Sequence, residues 1–132
     1  GLLDIISKKL SKVVRVIFPE IPDGDPSISY ISSNIVMNML GLGNAATPFG
    51  LKAMDSLQKL NDKKETASRS MITFLVLNTS GVTIVPTTII SLRLLYNSAS
   101  PTDIVVPALI ATIASTFFGL LLDHFLGERR NP

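Results

Sequence analysis

Cysteine and tryptophan are absent from this chain of 132 residues, and histidine occurs once. Without cysteine the protein forms no disulfide, no thiolate metal site and no cysteine nucleophile. The single histidine, His124, has no second ligand, so we expect no metal site. It follows Asp123 directly, and adjacent residues on a helix do not face each other, so the two do not form an acid–base pair.

Known catalytic and nucleotide-binding patterns are also missing. No serine lies in the strand–turn–helix arrangement that presents a nucleophile. The segment GLGNAATPFG has one Gly-x-Gly pair, but it has no preceding strand, no third glycine at the required spacing and no lysine. We therefore expect no enzyme activity, no catalytic residues and no cofactor.

The chain has no large excess of either charge. Its net charge is +2, and no basic stripe is interleaved with aromatic residues, so we expect no nucleic-acid partner. A length of 132 residues accommodates one domain and is short for two, so we treat residues 1–132 as a single domain.

Charge is absent altogether from three long windows. The 12 basic and 10 acidic residues all lie outside Pro26–Leu51, Ser70–Leu92 and Ile104–Leu122, which are 26, 23 and 19 residues long. A helix needs about 20 predominantly apolar residues to cross the bilayer core. Helices buried in soluble proteins usually carry a charged stripe, and these windows carry none. The pattern favours an integral protein of the cell membrane, in contact with lipid, over a soluble all-helical bundle.

The positions of lysine and arginine predict how the windows cross. Both flanks of the first window are basic, and basic flanks prefer the cytoplasmic side. The first window therefore enters and returns, turning near residues 41–48, and the other two windows cross outward and back. We predict an all-α membrane bundle with an N-terminal amphipathic helix, a re-entrant broken helix and two transmembrane helices.

Two further segments have helical periodicity. Residues 1–18 place apolar side chains on one face and basic side chains on the other. This helix either lies at a membrane surface or packs on a protein core, and both interpretations stay open. Residues 51–60 form a second amphipathic pattern, with large apolar residues three apart: Leu51, Met54, Leu57 and Leu60.

The reversal in the first window is rich in glycine and asparagine, and the second window is interrupted by Gly81 and Pro86. Non-helical backbone at membrane depth must face protein or a water-filled cavity, as in the broken helices of transporters. We therefore predict a ligand-binding or pore-lining set of uncharged residues: Asn34, Asn38, Gly41, Gly43, Asn44, Thr47, Pro48, Asn78, Thr79, Ser80, Pro86 and Thr87.

These residues also have structural interpretations. Asparagines cross-link membrane helices by hydrogen bonds, and glycines at the reversal permit positive φ or close approach. Under this interpretation Thr47 and Pro48 end the reversal, and Thr87 bonds to carbonyl groups that Pro86 leaves free.

The elements GLGNAATP and LNTSG, the latter followed by PTT, carry a resemblance that extends from about Leu2 to Phe125. They resemble the spore maturation protein A family of endospore-forming bacteria, within the nucleoside-recognition, or Gate, domain membrane proteins. The resemblance implies a role in spore maturation, notably core dehydration, with spore maturation protein B or another Gate-domain protein as partner. It also suggests a nucleoside-like ligand. Chains of the family begin with further membrane segments, which we expect this sequence to lack.

Two functions follow from these observations. The uncharged polar reversal favours a component that transports or gates a small solute. The abundance of small and hydroxylated residues, which favour tight helix packing, fits a structural or assembly protein of the spore-forming membrane. An intramembrane enzyme is disfavoured because the windows contain no ionisable groups.

Overall fold

The computed structural model describes the backbone from Leu2 to Glu128 and the side chains of residues 9–127. This part of the chain contains helices and no strands, which confirms the prediction of an all-α fold. The helices, in chain order, are α1 (Leu2–Ile17), α2 (Pro26–Met39), α3 (Gly43–Leu60), α4 (Arg69–Ser80), α5 (Thr87–Leu95) and α6 (Val105–Glu128).

Helices α2 and α3 form an antiparallel hairpin that contains the predicted reversal. Asp25 caps the start of α2 by accepting a hydrogen bond from the Ser27 backbone N–H at 2.8 Å. Ser56, near the end of α3, donates to the same Asp25 carboxylate at 3.2 Å. At the other end the chain turns between Met39 and Gly43, so the first window reverses direction instead of continuing as one rod.

The reversal is shorter than the sequence predicted. Gly41 has a φ of +69° and breaks the helix, but α3 resumes at Gly43. Thr47 and Pro48 therefore lie inside α3, and the interpretation that they end the reversal was wrong. Proline is tolerated here because it removes only one backbone hydrogen bond, to Asn44, within the exposed first turns of the helix.

The buried face of α3 matches the predicted amphipathic pattern in part, since Met54 and Leu57 pack in the core. Leu57 is buried, but Leu51 is 68% exposed and Leu60 is 40% exposed. Small residues face α2 instead, and Ala53 is completely buried. A Cβ atom on Gly50 would lie 3.0 Å from the side-chain nitrogen Nδ2 of Asn34. The small side chains let the two helices approach closely, and this contact sets the rotation of α3.

Helix α1 packs on the hairpin. Val14 and Phe18 are 1% and 2% exposed and belong to the same core as α2, α3 and α4. The hydroxyl groups of Ser11 and Ser32 lie 3.1 Å apart and join α1 to α2. Of the two interpretations left open for this helix, packing on a protein core is the one observed for the described side chains.

The second window forms two short helices and not one long helix. Ser68 caps α4 by accepting a hydrogen bond from the Met71 backbone N–H at 3.3 Å. Helix α4 ends at Ser80, and α5 begins at Thr87 after a six-residue break. At 12 residues α4 is about 18 Å long, which is shorter than the roughly 30 Å core of a bilayer.

Helix α6 is the one helix in the described chain that is long and apolar enough to cross a membrane. The stretch Val105–Gly127 has 23 residues and a mean hydropathy of 2.2. It exposes nine large apolar side chains: Val106, Ile110, Ile113, Phe117, Phe118, Leu121, Leu122, Phe125 and Leu126. This helix fits a membrane location, but the second predicted transmembrane helix is not confirmed as a continuous helix.

Candidate functional site

The two breaks in the helices meet each other. The Met39 carbonyl, at the end of α2, accepts hydrogen bonds from the backbone N–H groups of Ile84 (2.8 Å) and Val85 (3.1 Å). Thr87 donates its hydroxyl to the Gly41 carbonyl at 2.7 Å. Backbone groups that α2, α4 and α5 leave without helical partners therefore satisfy each other across the contact.

Gly41 fits this contact because it has no side chain. A Cβ atom there would overlap the Val85 carbonyl oxygen and lie 2.7 Å from the Thr87 hydroxyl. Its positive φ is also a conformation that other residues adopt only at a cost. Two independent constraints thus select glycine at this position.

Three asparagines connect the hairpin to α4. Asn34, which is buried, donates to the Ala46 carbonyl at 3.0 Å. Asn38 donates to Asn34 Oδ1 at 3.3 Å and to Asn78 Oδ1 at 2.9 Å. The hydrogen bond between Asn38 and Asn78 joins residues that are 40 positions apart and links the two broken segments.

Two pockets lie on either side of this asparagine pair. The smaller, of about 240 Å³, is lined by Asn34, Asn38, Gly43, Ala46, Thr47, Gly50, Leu51, Met54, Phe74, Leu75 and Asn78. The larger, of about 460 Å³, is lined by Asn38, Gly41, Gly43, Asn78, Thr79, Ser80, Gly81, Thr83, Pro86, Thr87, Thr88, Ile89, Ala108, Thr112 and Ser115. Asn38, Gly43 and Asn78 line both pockets, so the pockets adjoin.

The structure brings ten of the twelve predicted site residues to these pockets. Asn44 and Pro48 line neither of them. Asn44 is exposed in the first turn of α3, and Pro48 is exposed one turn later. Ligand binding by the other ten stays a prediction, but their placement around two adjoining pockets is observed.

One wall of the larger pocket comes from α6, and the sequence analysis did not include it. Ala108, Thr112 and Ser115 recur at helical spacing on one face of this otherwise apolar helix. Thr112 accepts a hydrogen bond from the Thr83 backbone N–H at 3.1 Å, within the break. The signal was the row of small and hydroxylated residues, which distinguishes this face from the phenylalanines and leucines of the exposed one.

The same row continues where α6 packs on α4. Thr116 donates its hydroxyl hydrogen to the carbonyl oxygen of Ser80, which is the last residue of α4. At Gly119 a Cβ atom would lie 3.2 Å from the Ser80 hydroxyl and 3.3 Å from a Val76 methyl group. Threonine thus satisfies a freed carbonyl group and glycine permits the close approach of the helices.

An ion pair at the far end of α4 was also missed by sequence reasoning. Arg69 lies 3.1 Å from the Asp123 carboxylate, and a second guanidinium nitrogen donates to the Asp123 carbonyl at 2.8 Å. Thr73 donates to the same carboxylate at 2.7 Å, and Asp123 is 8% exposed. Asp123 is therefore a structural partner of α4, and it lies apart from both pockets.

The chemistry of the site is that of hydrogen bonding without charge. No described residue lining either pocket is acidic, basic or histidine. The walls offer amide, hydroxyl and backbone groups together with apolar side chains. Such a site can bind and orient a small molecule, and its residues supply no group for general acid–base catalysis near neutral pH.

Comparison with known proteins gives one informative match. The chain is 48% identical over 130 residues to spore maturation protein A of Bacillus subtilis (strain 168). The matched region covers 98% of this chain but 66% of that protein, so the chain spans slightly less than two thirds of its relative's length. No family model and no solved structure matches the chain.

Proposed function

Because this chain belongs to the spore maturation protein A family, we propose that it acts in spore maturation as a membrane-embedded part of a solute pathway. The identity to the relative supports the role in spore maturation. One observation carries the mechanistic part: the Asn38–Asn78 hydrogen bond joins two broken segments and lies between two adjoining uncharged pockets.

Helix α6 anchors the protein in this proposal. Its outward face consists of large apolar side chains that remain exposed, as expected of a surface covered by lipid. Its inward face carries the hydroxyl groups that line the larger pocket. The division of polar and apolar residues supports a pathway that is shielded from lipid by α6 and lies between α6 and the α2–α3 hairpin.

Helices α4 and α5 form the second crossing as a broken helix. Neither is long enough to span the bilayer alone, but the break between them satisfies its backbone groups through Met39, Thr112 and Thr116. Broken helices of this kind provide uncharged ligands at the binding sites of transporters. In this proposal the α2–α3 hairpin enters and leaves the membrane on one side and turns back at Gly41.

Water accessibility of the pockets tests this proposal. Because the chain contains no cysteine, Thr47→Cys gives a single thiol at the smaller pocket. In membrane vesicles, a hydrophilic maleimide should modify this thiol and should leave Ile110→Cys, on the lipid-facing side of α6, unmodified. Equal lack of reaction at Thr47→Cys and Ile110→Cys would rule out an aqueous pathway.

A structural or assembly role is the second candidate, and α5 favours it. None of its residues is buried, and Leu94 and Leu95 are 59% and 72% exposed. This helix therefore offers an apolar surface to another membrane protein, such as spore maturation protein B. Under this role, Leu94→Ser with Leu95→Ser should reduce co-purification of the two proteins, and Thr47→Cys should remain unreactive.

A further inference from the structure

We propose that the larger pocket binds a small uncharged solute that donates hydrogen bonds, and that Asn38 and Thr88 accept them. This inference rests on the proposed function and specifies its solute class. The pocket volume of about 460 Å³ lies within the range of small-molecule sites. The groups of the wall that make no hydrogen bond inside the protein determine which solutes the pocket can bind.

Four hydroxyl groups of the wall already donate hydrogen bonds inside the protein. Thr79 and Ser80 donate their hydroxyl groups to carbonyls one turn earlier in α4, at 2.9 and 2.7 Å. Thr87 donates to Gly41 and Thr112 to Ala108. A hydroxyl group that donates its only hydrogen can still accept, so each of these side chains presents lone pairs to the pocket.

The two asparagines present different groups to the pocket. Asn78 accepts with its Oδ1, and no hydrogen bond among the described residues uses its Nδ2 group, which remains a donor. Both amide hydrogens of Asn38 have acceptors, Asn34 Oδ1 and Asn78 Oδ1. No hydrogen bond among the described residues uses the side-chain oxygen Oδ1 of Asn38, which therefore remains as an acceptor at the boundary of the two pockets. The hydroxyl groups of Thr83, Thr88 and Ser115 likewise have no partner within the described chain and can accept or donate.

These assignments restrict the charge of the ligand. An anion that leaves water requires a positive group as well as donors, and no cation lines the pocket. A multivalent cation requires negative partners when it leaves water, and no carboxylate lines the pocket. A neutral molecule with several O–H or N–H groups matches the surplus of acceptors.

Protection of a single thiol tests the solute class. Ser115→Cys places a thiol in the larger pocket of the otherwise cysteine-free chain, and Ala99→Cys places one in the exposed connection before α6, outside both pockets. The probes are erythritol and malonamide, each paired with its fully O- or N-methylated derivative, which lacks donors. In vesicles, we expect erythritol or malonamide to slow maleimide labelling of Ser115→Cys and not of Ala99→Cys, and the methylated derivatives to have no effect.

A side chain without internal partners provides the matched variant. Thr88→Val removes a hydroxyl group that makes no hydrogen bond in the described structure, so the fold should persist. Loss of one hydrogen bond to the solute should weaken protection about fivefold. Thr102→Val, at an exposed position outside both pockets, should leave protection unchanged.

The outcomes separate this inference from the proposed function. Equal protection by the methylated derivatives, or protection by potassium chloride or phosphate, would refute the solute class. Labelling of Ser115→Cys without protection by any probe would also refute it, while an accessible pocket, and with it the proposed function, would stand. Absence of labelling at both Ser115→Cys and Thr47→Cys would refute both.

Discussion

At the scale of single residues, Gly41 is subject to two structural constraints at once. It combines a positive φ with direct contact against the second broken segment. Gly43, two residues later, has no positive φ, and a Cβ atom there would meet nothing within 4 Å. The two glycines of one motif therefore have different structural roles.

Substitution of these glycines gives a first prediction. Gly41→Ala should lower the free energy of unfolding by about 2–4 kcal/mol, because it adds left-handed strain and overlaps Val85. Gly43→Ala should be neutral or slightly stabilising, since it lies at the start of α3. Thermal unfolding of the purified proteins in detergent measures both, and equal destabilisation would contradict the packing at Gly41.

Asp25 gives a prediction about pH. Burial raises the pKa of Asp25, but hydrogen bonds from the Ser27 side chain and backbone and from Ser56 outweigh this effect and lower the pKa below its ordinary value of 3.8. A carboxyl group with a lowered pKa in the folded state stabilises the protein above its ordinary pKa. The stabilisation disappears as the pH falls through the lower, folded-state value.

The measurement compares the native protein with Asp25→Asn between acid and neutral pH. Asparagine keeps the cap of α2 but has no charge to titrate. The native protein should be more stable at neutral pH, and the difference between the two should shrink as the pH falls below 3.8. A difference in stability that is independent of pH would contradict the lowered pKa of Asp25.

At the scale of helices, the ion pair between Arg69 and Asp123 joins the start of α4 to the end of α6. Asp123→Ala should lower the free energy of unfolding by about 3 kcal/mol, because it leaves Arg69 and Thr73 without their shared acceptor. The double variant Arg69→Met with Asp123→Leu should lose less unfolding free energy than the sum of the losses in the single variants Arg69→Met and Asp123→Leu. Additive losses in this double-mutant cycle would show that the pair is not coupled.

The sequence predicted where the helices break better than it predicted which helix faces pack against each other. Glycine and proline act through the backbone, so Gly41 and Pro86 could be interpreted locally. The rotation of α3 could not, because it depends on Ala53 and Gly50 fitting against α2, a contact that neither segment encodes alone. Periodicity of large apolar residues therefore identified Met54 and Leu57 of the buried face but not its small residues.

The same reasoning explains the incomplete prediction of the site. Asn38 and Asn78 were identified because a polar residue in an uncharged window is conspicuous in the sequence. Thr112 and Ser115 were missed because the sequence of α6 is typical of an apolar membrane span. Their role depends on the break between α4 and α5, which lies beside them. Sequence reasoning recognised the unusual segments but did not identify the ordinary helix that completes the pocket.

At the scale of the whole molecule, five of the six described helices, all except α5, form two closely packed groups. Helices α1, α2 and α3 pack together, α4 packs along α6, and α4 has sparse contact with α2 and α3. The smaller pocket lies between these groups, the larger one adjoins it, and the Asn38–Asn78 hydrogen bond crosses from one group to the other. A small rotation of one group against the other would change both pockets at once, which suits a pathway that opens and closes.

The two ends of the molecule differ in charge and predict its orientation. The start of α4 lies beside the end of α6, next to the loop that carries Lys63 and Lys64. The connection between α5 and α6 has one basic residue, Arg93, at the end of α5. If α4–α5 and α6 both cross the membrane, residues 62 and 99 lie on opposite sides, with residue 62 in the cytoplasm.

Single cysteines at these positions test the crossing. Asp62 and Ala99 are both exposed, so Asp62→Cys and Ala99→Cys should leave the fold unchanged. A membrane-impermeant maleimide added to intact cells should label Ala99→Cys at once and Asp62→Cys only after the membrane is permeabilised. Labelling of both thiols from the same side would mean that the broken helix does not cross, and a pathway between its halves could not connect the two compartments.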